Sequence, residues 1–162
     1  MKVTKAINDR RQLLGIPIAY ICNRCGWLSR DTYYRKIKSM ESIWTLEELI
    51  NLLNLFNCTF EELFIEGVIK EKYNPHYWVK RDLLNTILRR ARLEEVKKTE
   101  LYASFGGKGS RQNFYQRINN QKLKLCQIFN LTQLLNTTFA DLFLQKIQFT
   151  VYPNLLEDKD II

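Results

Sequence analysis

A single histidine, His76, stands in a chain of 162 residues. With so little imidazole, histidine-based catalysis lacks its base, and no nucleophile or carboxylate pair elsewhere has an evident partner, so an enzyme is not expected and no catalytic residue is assigned. Cysteine is also scarce. Cys22 and Cys25 form a C-x-x-C, but Cys58 and Cys126 do not supply a second pair at zinc-ribbon distance, so no metal ligand set is expected. In a helical frame both members of the C-x-x-C point inward, where thiols behave as small hydrophobes. No apolar run approaches the roughly eighteen residues of a membrane span. The opening stretch Met-Lys-Val-Thr-Lys-Ala-Ile-Asn-Asp lacks the apolar core of a signal peptide, and a cytoplasmic location is expected.

Acid is the other shortage. Seventeen Asp and Glu face 25 Lys and Arg, for a net charge of +8 and an isoelectric point near 9.4. Residues 1–66 carry nine basic against eight acidic side chains, and residues 67–162 carry sixteen against nine. The excess therefore sits in the second half, and a polyanionic partner, if there is one, is gripped harder there.

What the chain does have is repetition, which decides the organisation before anything else. Ser29–Ile37 (Ser-Arg-Asp-Thr-Tyr-Tyr-Arg-Lys-Ile) returns 81 residues later as Ser110–Ile118 (Ser-Arg-Gln-Asn-Phe-Tyr-Gln-Arg-Ile). Leu46–Phe64 returns 79 residues later as Leu125–Phe143, with nine of nineteen residues identical. The offset falls by two because the intervening turn is two residues shorter in the second copy. Two small helical units follow, each too small to bury more than about 60% of its unfolded surface and each served by packing on the other. The expected layout is a first domain over 1–70, a linker over 71–80, a second domain over 81–146 and a tail over 147–162.

In chain order, the pattern predicts a first helix over Val3–Leu14, with Val3, Ala6, Ile7, Leu13 and Leu14 inward and Asp9, Arg10 and Arg11 outward. Gly15 ends it, Pro17 opens a second helix, and Gly26 closes that. Ser29 caps a third helix, with Tyr33 and Ile37 inward. Residues 38–44 read as a loop. Thr45 with Glu48 and Thr59 with Glu62 are capping boxes that open a fourth and a fifth helix. Asn74-Pro75 marks the linker, whose Tyr73, Tyr77 and Trp78 are too apolar for a free tether. The second copy repeats the plan with helices over Arg81–Leu93, Lys97–Phe105 and Ser110–Asn119, then two more ending near Lys146. Ile147–Tyr152 alternates like a strand. Phe64, Ile65, Val68 and Phe143, Leu144, Ile147 are the residues expected to join the copies. The fold class is all-α.

The stretches Gly15-Ile16-Pro17, Ile21-Cys22, Gly26, Ser29–Ile37, Thr45–Leu49 and Phe60–Phe64, with their second-copy echoes, resemble the Cro and lambda-repressor-like (XRE-type) helix-turn-helix family. The resemblance implies two tandem five-helix lambda-repressor-like helix-turn-helix domains with a short extended C-terminal tail. It implies that the third helix of each lies in the major groove of duplex DNA, as a transcriptional regulator. Carried over position by position, Arg30, Asp31, Arg35 and Lys38 face base edges in the first copy, and Arg111, Gln112, Gln116 and Asn119 in the second. Arginine reads guanine and Gln or Asn reads adenine, whereas Asp31 could only accept from cytosine. Thr32, Tyr34, Lys36, Lys98, Thr99, Lys108, Asn113, Tyr115 and Arg117 are placed on backbone phosphate. The sequence departs from the family in an extra turn residue in each copy and in Ile18, which stands where the family puts a polar phosphate ligand and where the second copy has Thr99.

The expected partner is double-stranded DNA, through the second repeat more than the first, with recognition helices about 34 Å apart as in the dimers of that family. Homodimerisation through the tail is a further expectation; no cofactor, membrane partner or small-molecule effector is inferred. The alternative is a helix-turn-helix protein-interaction module that does not bind DNA, serving as an assembly component or as an inhibitor of a nucleic-acid enzyme. Asp31, Ile18, the near-neutral first half and the aromatic linker favour it.

Overall fold

The computed structural model describes residues 3–66, 77–105 and 110–146. Among them the chain is mostly helical, with four short strands. The first half contains α1 (Val3–Leu14), α2 (Ile18–Cys25), α3 (Arg30–Lys36), β1 (Ile43–Thr45), α4 (Leu46–Phe56) and a π-helical turn, Glu62–Glu66. The strand β2 (Tyr77–Val79) follows. The second half contains α5 (Leu83–Leu93), α6 (Lys98–Ala103), α7 (Ser110–Asn120), β3 (Lys122–Lys124), α8 (Leu125–Leu134), α9 (Phe139–Phe143) and β4 (Leu144–Lys146). No helix among the described residues is long and apolar enough to cross a membrane.

Local chemistry accounts for the boundaries. Gly26 ends α2 in the left-handed region at φ 74°, which only glycine adopts freely, and its N–H donates back to Asn23 O and Cys22 O. Thr45 and Glu48 make the predicted reciprocal box, Glu48 N–H to Thr45 Oγ1 at 3.0 Å and Thr45 N–H to Glu48 Oε1 at 2.7 Å. Thr59 and Glu62 make the second, at 3.1 and 3.4 Å. Asn57 and Asn136, corresponding residues, both take positive φ just past the fourth helix of their half, Asn57 as its C-cap and Asn136 one residue after the C-cap Leu135.

The ribbon β1–β3 joins the two halves. Ile43 pairs with Lys124, Trp44 with Leu123 and Thr45 with Lys122. Under the 79-residue offset Trp44 corresponds to Leu123, so the central pair is a residue facing its own counterpart. The flanking bonds are images too: Leu46 N–H donates to Gln121 O, and Leu125 N–H to Ser42 O. Beyond the ribbon, Phe60 stacks on its counterpart Phe139, ring centres 5.0 Å apart. Contacts of this isologous kind are those of a two-fold axis. Trp44 and Leu123 turn to the core, while Ile43 and Lys122 stay exposed on the outer side of the ribbon.

Several expectations need correction. Residues 38–44 do not all form a loop, because Ile43 and Trp44 enter β1. The last helix stops at Phe143, not near Lys146, and Leu144–Lys146 turns extended to pair with Val79–Tyr77. Val79 packs on the core, but Trp78 is 66% exposed. Leu13 and Leu14 point outward, 75% and 41% exposed. Arg10, expected outward, folds onto the end of α4 and donates twice to Phe56 O, at 2.9 and 3.1 Å. Arg90 does the same in the second half, to Leu135 O and Asn136 O. Among the residues expected to join the copies, Phe64, Phe143 and Leu144 are buried; Val68, Ile147 and the predicted strand 147–152 lie outside the described residues, as does Tyr73.

Candidate nucleic-acid interface

Each third helix is held by two apolar anchors one turn apart. Tyr33 and Ile37 are buried in the first half, Phe114 and Ile118 in the second. Tyr33 donates its hydroxyl to Asn8 Oδ1 at 2.8 Å, while Phe114 packs edge-on against Phe105 and Tyr102. With the anchors fixed, Arg30, Asp31 and Arg35 are exposed on α3, Lys38 is exposed just past its end, and Arg111, Gln112, Gln116 and Asn119 are exposed on α7. All eight residues assigned to base edges therefore stand in solvent.

The residues assigned to phosphate divide. Tyr34, Lys98 and Thr99 are exposed, and Thr32 is half-buried beside its cap, Ser29. Lys36 is not free: its ammonium lies 3.1 Å from Glu48 Oε1 and donates to Ile43 O at 2.8 Å, with the side chain only 18% exposed. The same Glu48 accepts from the indole N–H of Trp27. Burial raises the Glu48 carboxyl, but the hydrogen bonds from Thr45, Trp27 and Lys36 outweigh it and hold the group below its ordinary range. In the second half the corresponding residue is Gln127, a neutral amide that accepts from Lys124 N–H, and Arg117 keeps to its own helix, donating to Asn113 Oδ1 at 3.2 Å. Tyr115 hydroxyl meets Tyr102 hydroxyl at 3.2 Å, and the Arg111 guanidinium lies over the Tyr115 ring. Lys108 lies outside the described residues.

Two further differences from the sequence pattern concern the turn and the second helix. Pro17 and Lys97 occupy the same extended position before α2 and α6, both with ψ 149°. Ile18 is thus matched by Lys98, and Thr99 corresponds to Ala19. α6 spans six residues, with Lys98 exposed at its first position. In the first-half turn Trp27 enters the core, edge-on to Trp44 at 5.2 Å, and Leu28 is left wholly in solvent.

Cys22, Cys25 and Cys58 are buried. Burial, and for Cys25 the adjacent Glu48 carboxylate, pushes the Cys25 and Cys58 thiols up to about 12, leaving them protonated at neutral pH.

Sequence reasoning missed a concavity in the first half. A cleft of about 820 Å³ runs between α2, the end of α3 and the outer side of the ribbon, lined by Arg24, Arg35, Lys36, Glu41, Ile43 and Lys122 among others. A second cleft of about 490 Å³ adjoins it, sharing Arg24, Glu47 and Asn51. The signal available beforehand was Trp78, one of the three aromatics that make the linker too apolar for a free tether. No protein family, curated protein or solved structure matches the chain.

Proposed function

We propose that the protein binds duplex DNA with α3 and α7 as tandem lambda-repressor-like recognition helices, acting as a sequence-specific regulator. One observation carries the reading. Each third helix turns its anchors inward and its polar face to solvent, and the ribbon beside them pairs residues with their counterparts. A two-fold relation gives corresponding faces the same inclination to the axis, which is what two recognition helices on one duplex require. The two faces differ in sequence, so the preferred site is asymmetric.

The second half makes the stronger contact. It carries most of the positive charge, and Arg111, Gln112, Gln116 and Asn119 can all read bases. On the first half, Leu28, Tyr34 and Tyr20 expose apolar surface, and Lys36 is withdrawn. That observation favours a second reading, in which the first half contacts protein.

The test is titration of labelled duplex at two salt concentrations. Phosphate contact imposes a steep loss of affinity with salt. Arg111→Ala costs about 1–3 kcal/mol on a preferred sequence, whereas Lys98→Ala weakens preferred and random duplexes alike. No binding at low salt leaves the protein-contact reading in its place.

A further inference from the structure

A cleft beside α4 is lined in part by residues that the repeat does not reproduce. Glu47, Ile50, Asn51 and Asn54 lie at i, i+3, i+4 and i+7 of α4 and form one stripe along the cleft of about 490 Å³. Ile50, buried, forms the floor. β2 crosses this stripe and forms the opposite wall, presenting Trp78. Pairing with β4 fixes the backbone of Trp78 against Gln145, so the 66% exposure of the residue belongs to an ordered strand. Arg24 and Arg81 stand at the same cleft, and among the described residues neither guanidinium makes an ion pair. Lys80 adds a third positive charge, its ammonium held by Asp141 O. In the second half the counterparts of Arg24, Glu47 and Asn54 are Ser104, Cys126 and Gln133, so the site arises where the repeat is broken.

We propose that this cleft binds a nucleobase carrying a phosphate. A flat ring open to water offers a stacking face that every base can use. The guanidiniums of Arg24 and Arg81 supply forked donors suited to a phosphate. Between them, the Asn51 and Asn54 amides and the Glu47 carboxylate offer both acceptors and donors to a base edge, the carboxylate taking an exocyclic amine. The volume falls in the range of small-ligand clefts. The site is separate from the outer faces of α3 and α7 and does not depend on their binding duplex.

Tryptophan fluorescence reports on it directly. Of the three tryptophans, Trp27 and Trp44 are buried and Trp78 is exposed. The full-length chain is titrated with adenosine monophosphate, with a single-stranded deoxyadenylate decamer, and with inorganic phosphate and adenosine as separate controls. Saturable quenching by the mononucleotide is expected. Arg24→Ala and Arg81→Ala, both changes at exposed side chains, weaken it about tenfold each while circular dichroism stays unchanged. Tighter binding of the decamer identifies the source as a single strand, and exclusion of the decamer identifies it as a free nucleotide. The proposal is overturned if neither nucleotide probe quenches saturably at millimolar concentration, if phosphate or adenosine alone quenches equally well, or if the two arginine variants quench undiminished.

Discussion

In α3 the lysine at position 36 leaves the outer face and closes on Glu48, whereas the corresponding Arg117 of α7 stays on its own helix beside Asn113. The cause lies on another element. Glu48 carries a charge at the start of α4, and Gln127 at the start of α8 does not. One carboxylate in place of one amide thus removes a cation from the proposed groove-facing side of the first half and ties Trp27, Lys36 and Thr45 together. The same exchange leaves the second half more basic on its exposed face and less cross-linked within. Corresponding helices with corresponding anchors can therefore differ in what they offer a ligand through a residue that belongs to another element.

The contrast can be broken at its centre. Trp44 and Leu123 face each other across the ribbon, but only Trp44 also donates an indole N–H, to Lys36 O at 3.1 Å. Trp44→Ala should cost about 3–5 kcal/mol and Leu123→Ala about 2–5 kcal/mol in urea unfolding, with Trp44 the larger. Equal losses would mean that the indole adds nothing to the burial it shares with leucine.

Glu48→Gln makes the first half resemble the second. It should cost about 1–3 kcal/mol at neutral pH, because bonds to a charged acceptor are lost. The folded carboxyl lies below its ordinary value of 4.5, so its contribution is fully present above that pH and is lost as pH falls through the lower folded value. Stability measured from pH 7 down to 3 should therefore converge between wild type and variant at the acid end. A constant gap would sink the assignment.

Smaller effects refine the comparison. A double-mutant cycle on Phe60 and Phe139 should return a coupling of about 0.5–1.5 kcal/mol for the stacked pair. At the end of the first helix of each half, Gly15 and Glu95 both take positive φ, 67° and 57°. Glutamate is strained there where glycine is not, so Glu95→Gly should raise stability by up to about 1 kcal/mol, read as a higher urea midpoint.

Much of this architecture was legible because helical periodicity and capping are local. The α1, α2 and α4 boundaries, both Thr-x-x-Glu boxes and the paired anchors follow from residues within one or two turns of each other. The ribbon was not legible. Ile43-Trp44-Thr45 and Lys122-Leu123-Lys124 are three residues each, too short to show alternation, and their only partners are one another. Leu144–Lys146 carries no breaker to separate it from the helix before it, and only β2 draws it extended. At the candidate interface the exposed set on α3 and α7 was readable from the i, i+4 anchors. The fate of Lys36 was not, since Glu48 is twelve positions away and its carboxyl is aimed by Trp27.

Trp44 facing Leu123 has a consequence for how such a molecule changes. When two separate copies of one gene product meet on an axis, every replacement appears twice, and a side chain useful on one flank must be tolerated on the other. Here the axis runs through a single polypeptide, so each flank is altered alone. Glu48 without a second Glu48, and Trp78 without a second Trp78, are the kind of one-sided novelty that this arrangement admits and a homodimer forbids.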